Sequence, residues 1–146
     1  MVFIVSALII SVLGLLPGNK VEAASTGWQT TNGVTAILYT DRSGSYPASD
    51  SFVGVTAEKT AAGGTVYYTM DLHQYINGTW YSLGNDQQSG SFSSASPLKK
   101  FNIDNHLSKG KSGTFRVVME LNSNNDWSNP NSFRGFFTTP SFTISN

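Results

Sequence analysis

Aromatic and hydrogen-bonding side chains alternate along residues 73–84, HQYINGTWYSLG, in a pattern suited to non-covalent recognition. The Asn77-Gly78 pair at the centre predicts a type I′ hairpin, because that turn requires a positive φ at both central residues. Pairing the strands across this turn places Tyr75 opposite Trp80. Because side chains alternate along a strand, six residues then share one face. They are Tyr67, Asp71, His73, Tyr75, Trp80 and Ser82.

Two interpretations of this face are open. Rings interleaved with polar groups are typical of a stacking platform for sugar rings, or of a contact surface for a protein partner. Alternatively, Tyr75 and Trp80 form a cross-strand pair that stabilises the hairpin by about 0.2–1 kcal/mol, or another segment covers the face. The solvent exposure of Trp80 distinguishes them. The opposite face is predicted to belong to the core and carries Val66, Tyr68, Met70, Leu72, Tyr81 and Leu83.

A second candidate contact is Trp127, in the polar segment NSNNDWSNPNSF at residues 122–133. An aromatic residue on a loop can anchor a ligand or partner. The alternative is a solvated loop with Trp127 folded back on the edge of the sandwich. A calcium loop is not indicated, because Asp126 is the single carboxylate and the ligand spacing of such loops is missing.

Candidate catalytic groups are few. His73 and Asp71 are two residues apart on a predicted exposed strand, where both would be solvated and neither would be activated as an acid or base. His106 lies in a predicted turn. Ser96 and Lys99 match the S-x-x-K spacing of acyl-enzymes, but that motif needs a helix, whereas a proline and a β-type run follow the serine. The chain has no cysteine nucleophile and no G-x-S-x-G or H-E-x-x-H motif. A hydrolase is therefore the least favoured function, and we expect no enzyme, metal or cofactor.

Short alternating segments separated by turn signals predict an all-β chain. In TFRVVMEL the alternate residues from Phe115 to Leu121 are predicted to point inward. NIDNHLSKG is predicted to form one short helical turn, with Asp104 as its N-cap and Gly110 as its stop. Seven to nine strands in a chain of this length indicate an antiparallel immunoglobulin-like β-sandwich. The predicted strands are GVTAILYT, SFVGVTAEK, TVYYTMDLHQYI, TWYSL, GSFSS, LKKFNI, TFRVVMEL, FRGFFTT and SFTIS.

The composition argues against nucleic acid as a partner. Lys+Arg and Asp+Glu are both 9, and only 12% of residues are charged. That is about half the usual share. A nucleic-acid binder needs a cationic patch to neutralise phosphates, and the basic residues here are scattered.

The N-terminal segment predicts export. Residues 2–16 are apolar, and small residues follow up to Ala23. This pattern predicts a signal peptide of residues 1–23, and a secreted single β-sandwich domain of residues 24–146 without membrane contact. A retained anchor helix is the alternative. The chain has no cysteine. Small domains secreted by eukaryotes usually carry disulfides, so this absence favours a Gram-positive bacterial source.

The segment SGTFRVVMEL, followed by an irregular connection and a final PSFTIS, resembles the last strand pair of bacterial immunoglobulin-like modules. With its size and Ser/Asn-rich composition, the chain resembles small secreted proteins of Gram-positive bacilli. This resemblance implies a fold and carries no particular activity. We expect a secreted, non-catalytic protein that binds carbohydrate or the cell envelope; the alternative is a protein-interaction factor, such as an inhibitor or an antagonist of competing bacteria. The predicted ligand-binding residues are Tyr67, Asp71, His73, Tyr75, Trp80 and Trp127.

Overall fold

The computed structural model describes residues 23–47, 49–61, 63–105 and 112–145. The predicted signal peptide, apart from Ala23, lies outside these residues, as do His106 and Gly110. Twelve strands are present in the described residues. In chain order they are β1 (Ala24–Ser25), β2 (Gln29–Thr31), β3 (Val34–Thr40), β4 (Ser45–Tyr46), β5 (Phe52–Lys59), β6 (Val66–Ile76), β7 (Thr79–Ser82), β8 (Gln88–Phe92), β9 (Lys99–Asn102), β10 (Ser112–Asn122), β11 (Phe133–Thr138) and β12 (Phe142–Ser145).

The strands form two sheets, and the all-β sandwich expected from the sequence is confirmed. The first sheet has the order β1-β3-β5-β9, with β2 also paired to β3. The second has the order β4-β12-β10-β6-β7, with β11 paired to β10 and β8 paired to β6. All pairs are antiparallel except β4 with β12. The strand number exceeds seven to nine because β1, β2 and β4 have only two or three residues each, too few to show an alternating pattern.

The core lies between the sheets and follows the predicted alternation. Phe115, Val117, Met119 and Leu121 of β10 are completely buried. On the neighbouring strand β6, the residues from Val66 to Leu72 that face inward are exposed by no more than 1%. Each fully buried side chain of this size contributes about 1.5–3 kcal/mol relative to an exposed one. The two long central strands therefore supply much of the stability of the second sheet.

Tyr81 is a correction to the predicted core face. Its side chain points to the inner side of the second sheet, but it is 52% exposed, and Ile76 on the same side is 42% exposed. The β6–β7 hairpin therefore extends past the packed core at its tip. Leu83, nearer the body of the sandwich, does pack partly against the core.

A short 3₁₀ helix covers Ile103–Asn105, at the start of the predicted helical turn, and the rest of that turn lies outside the described residues. The side chain of Asn102 caps this 3₁₀ helix, since its Oδ1 accepts a hydrogen bond of 2.9 Å from the Asp104 amide. The amides that Asp104 would cap, those of residues 106 and 107, lie outside the described part of the chain. Within the described part of the chain, no helix is long and apolar enough to cross a membrane.

Candidate functional site

The outward-facing side chains of the second sheet, here called the outer face, include most of the predicted ligand-binding residues. The β6–β7 hairpin has the predicted register, with Tyr75 opposite Trp80 and His73 opposite Ser82. Asn77 and Gly78 have φ values of 50° and 86°, the positive values that a type I′ turn requires. On its other long side β6 pairs with β10, which places Arg116 opposite His73.

At the hairpin end of the outer face, Trp80 is largely engaged by its neighbours. Its ring lies 5.0 Å from that of Tyr75, with 50° between the planes. The guanidinium carbon of Arg116 lies 4.4 Å from the centre of the Trp80 ring. Trp80 is half-buried, whereas Tyr75 is 45% exposed. The outer face does meet water here, through Tyr75. Trp80, however, already contacts a cation and a second ring, so Tyr75 and Trp80 act as a cross-strand pair that stabilises the hairpin.

In the middle of the outer face, Asp71 connects His73 and Ser82. The Ser82 hydroxyl donates a hydrogen bond to Asp71 Oδ2, and the Gly84 amide lies 3.2 Å from Asp71 Oδ1. His73 Nε2 is 3.5 Å from Asp71 Oδ2. A serine nucleophile needs the imidazole on its hydroxyl, with the carboxylate behind the imidazole. Here the carboxylate lies between the serine and the histidine, so the order of the three groups does not activate the serine.

Three influences set the pKa of His73: its burial, a carboxylate on its own strand, and a guanidinium on β10. Burial lowers the pKa of His73 below its ordinary value; the Asp71 carboxylate opposes this, and the Arg116 guanidinium lowers the pKa further. The neutral imidazole is therefore favoured. Next to it lies a shallow cavity of about 140 Å³, whose lining includes Glu120 of β10 and Phe136 of β11. Phe136 is 58% exposed.

At the far end of the outer face, an open groove of about 300 Å³ runs between Tyr67 and Trp127. Tyr67 lies on β6, and its cross-strand neighbour on β8 is Ser91. Ser89 and Ser91 line the groove together with Asn125. Trp127 is 40% exposed. Two of the predicted aromatic residues, which come from separate parts of the chain, are thus brought together beside hydroxyl and amide groups.

The loop that carries Trp127 is held by its own polar side chains. The Asp126 amide donates to Asn124 Oδ1 at 2.9 Å, and the Ser128 amide donates to Asp126 Oδ1 at 3.1 Å. These are side-chain-to-backbone turns of the kind that Asn and Asp favour. The buried Ser132 hydroxyl lies 3.0 Å from Asn122 Oδ1 at the end of β10, which attaches the loop to the sheet. Such a loop can present Trp127 in a defined position.

The chain matches a protein-family model described as the YqgA MG2 macroglobulin domain over residues 21–145. It belongs to this family. The match supports the immunoglobulin-like part of the resemblance seen in the sequence, because a macroglobulin-like domain is itself an immunoglobulin-like β-sandwich. No curated protein matches the sequence. The protein is therefore a macroglobulin-like β-sandwich module.

Several outer-face residues of this macroglobulin domain were not among the candidates from sequence. Ser89 and Ser91 line the groove because β8 pairs with β6, and Asn125 because the loop folds towards them. The alternation in the segment QSGSF is a weak signal for Ser89 and Ser91. Phe136 could not be found, since FRGFFTT contains three phenylalanines and only the register with β10 decides which of them points outward.

Proposed function

We propose that this macroglobulin domain is a secreted, non-catalytic module that binds carbohydrate of the cell envelope in the groove between Tyr67 and Trp127. The observation that carries the proposal is the groove itself, where two serines and an asparagine lie beside three aromatic residues, of which Tyr68 is fully buried and Tyr67 and Trp127 reach solvent. Sugar rings stack on aromatic side chains through their apolar faces, while their hydroxyl groups need hydrogen-bonding partners. The groove offers both kinds of contact.

The residues that line the groove favour an uncharged ligand. None of the seven residues that line it is charged. An anionic ligand would require a cationic partner, and a cationic ligand would require a carboxylate. A neutral saccharide satisfies the hydroxyl and amide groups without leaving a charge unpaired.

Export is the second part of the proposal. It is supported by the apolar residues 2–16, by the small residues that follow, and by a chain without cysteine. A secreted module with a glycan-binding groove would meet the polysaccharides of the envelope directly. The remaining predicted residues, Tyr75, Trp80, His73 and Asp71, lie on the same sheet outside the groove and are not part of the proposed site.

The test is a titration of the purified protein with soluble peptidoglycan fragments, chitin oligosaccharides and cello-oligosaccharides, followed by tryptophan fluorescence and calorimetry. We expect Trp127→Ala and Tyr67→Ala each to weaken binding at least tenfold, because each removes one stacking surface. The matched control is Trp28→Ala. Trp28 is 53% exposed but lies between β1 and β2, outside the groove.

Two outcomes contradict the proposal. One is the absence of binding to every saccharide in the panel. The other is an equal loss of affinity in Trp28→Ala and Trp127→Ala, which would mean that the groove is not the site. Thermal melting of each variant checks that it is folded.

A protein-interaction factor, such as an inhibitor or antagonist of competing bacteria, is the second candidate. The observation in its favour is Phe136, which is 58% exposed on the outer face and packs at 5.2 Å against Phe133. Exposed aromatic surface of this kind is typical of protein contacts. A protein partner that is captured by the wild type and by Trp28→Ser, but not by Phe136→Ser, would support this function. Equal capture by all three would argue against it.

A further inference from the structure

The strand β7 forms an edge of the second sheet that carries no charge or proline. Within the described residues it pairs with β6 alone. Proteins usually protect such edges with charges, proline or a bulge, because unpaired backbone groups invite another strand. The edge strand β9 of the first sheet has such protection, since it carries Lys99 and Lys100. The residues of β7 are Thr-Trp-Tyr-Ser, and residues 74–83 contain no charge at all.

The hairpin register determines which backbone groups of β7 point away from β6. In an antiparallel pair, residues that exchange backbone hydrogen bonds alternate with residues that do not. The Leu83 amide donates to the Leu72 carbonyl at 2.9 Å, so this pair is hydrogen-bonded. Tyr81, two residues earlier, is then also hydrogen-bonded to β6. Trp80 and Ser82 therefore direct their N–H and C=O groups outward from the edge.

Apolar side chains flank this edge. Tyr81 is 52% exposed and Ile76 is 42% exposed, both on the inner side of the sheet where the hairpin extends past the core. Tyr75 is 45% exposed on the outer side. An incoming strand would thus find free backbone groups between two partly apolar surfaces.

We propose that β7 pairs with β7 of a second copy of this chain, antiparallel and related by a two-fold axis at Tyr81. Under this symmetry Trp80 of each copy faces Ser82 of the other, and both residues present outward backbone groups. The two pairs give four backbone hydrogen bonds. The two Tyr81 side chains face each other at a position without hydrogen bonds, where opposing side chains are closest.

A second copy fits this edge better than a charged peptide for two reasons. The outward groups of Trp80 and Ser82 are complementary to themselves under a two-fold axis, which is what a symmetric dimer requires. The four residues of β7 carry no charge, and the two charged groups that contact them, Arg116 and Asp71, are opposite in sign. With 9 basic and 9 acidic residues, two copies do not repel each other over long distances. Because the edge is only four residues long, we expect a dimer that dissociates on dilution rather than an obligate one.

The first test uses the absence of cysteine from the chain. A single Tyr81→Cys substitution would place two thiols opposite each other across the two-fold axis, at a Cα separation of about 4.5 Å, within the range that a disulfide spans. We expect mild oxidation to give a disulfide-linked dimer at least ten times faster than with Tyr75→Cys. That matched control lies on the same hairpin but points to the other side. Equal rates for the two variants would overturn the proposal.

The second test is sedimentation of the full chain over a range of concentrations. We expect a monomer–dimer equilibrium that Tyr81→Glu weakens at least tenfold, because two carboxylates would oppose each other, and that the uncharged control Tyr81→Gln weakens much less. A monomer at all concentrations, or association that Tyr81→Glu leaves unchanged, would refute the pairing. Tyr81 does not line the groove, so Tyr81→Glu should retain saccharide binding and Trp127→Ala should retain the dimer. Thermal melting verifies that the Tyr81 variants are folded.

Discussion

Gly135 on β11 provides a stringent test of how the two sheets meet. Its φ is +124°, a conformation that residues with a side chain rarely adopt. A Cβ at this position would lie 2.3 Å from Cγ2 and 2.7 Å from Cβ of Thr31, on β2 of the other sheet. Gly135→Ala therefore adds backbone strain of about 1–3 kcal/mol and overpacking of about 1–3 kcal/mol. Together these effects should lower the free energy of unfolding by about 2–6 kcal/mol, which is a large part of the whole free energy of unfolding of a domain of this size.

Urea unfolding followed by circular dichroism measures this loss, and a second substitution separates its two causes. Thr31→Gly removes the atoms that the new Cβ would meet but leaves the φ of residue 135 unchanged. In a double-mutant cycle, Gly135→Ala should therefore lower the free energy of unfolding by about 1–3 kcal/mol less in the Thr31→Gly background than in the wild type. A loss below about 1 kcal/mol for Gly135→Ala would refute the whole argument. A large loss with no recovery by Thr31→Gly would refute the steric part only.

Three further predictions concern buried polar groups and their protonation. Tyr46 is completely buried, and its hydroxyl donates to Asp41 Oδ1 at 2.5 Å, so Tyr46→Phe should cost about 1.5–3 kcal/mol in urea unfolding. Burial, and then the Asp41 carboxylate, raise the pKa of Tyr46, so its hydroxyl ionises at a lower pH in the unfolded state than in the folded state. As the pH rises above about 10, the wild type should therefore lose stability more steeply than Tyr46→Phe. Burial lowers the pKa of His73, with Arg116 adding to the effect and Asp71 opposing it. As the pH falls below about 6.5, this imidazole is therefore protonated in the unfolded state before it is protonated in the folded state. Stability should fall with pH in that window, and His73→Gln should flatten the fall; a slope unchanged by His73→Gln would contradict the shift.

Much of the local structure was predictable because its causes are local. A two-residue Asn-Gly loop sets both the turn type and the register of its strands, so the pairing of Tyr75 with Trp80 followed from a few neighbouring residues. The inward residues of β10 followed from a period of two. The sequence offered both Asn102 and Asp104 as capping side chains, and only the start of the 3₁₀ helix at Ile103 selects Asn102, whose Oδ1 accepts from the Asp104 amide.

The candidate groove was not predictable as a unit. Tyr67 and Trp127 were each identified, but nothing in their spacing places them together. Their proximity depends on the pairing of β6 with β8 and with β10, which brings the loop after Asn122 next to Tyr67. The same limit applies to Tyr81, because alternation shows which way a side chain points but not how far the opposite sheet extends.

The sequence by itself therefore determined the fold class, the hairpin and the division of its side chains between two faces. These properties depend on turn chemistry and on periodicity, which act between neighbouring residues. Only the tertiary structure decided that Trp80 is engaged by Arg116, that Tyr67 and Trp127 share an open groove, and that Tyr81 reaches solvent. These properties depend on which strands pair and where each sheet ends, and both are consequences of packing between residues far apart in the chain.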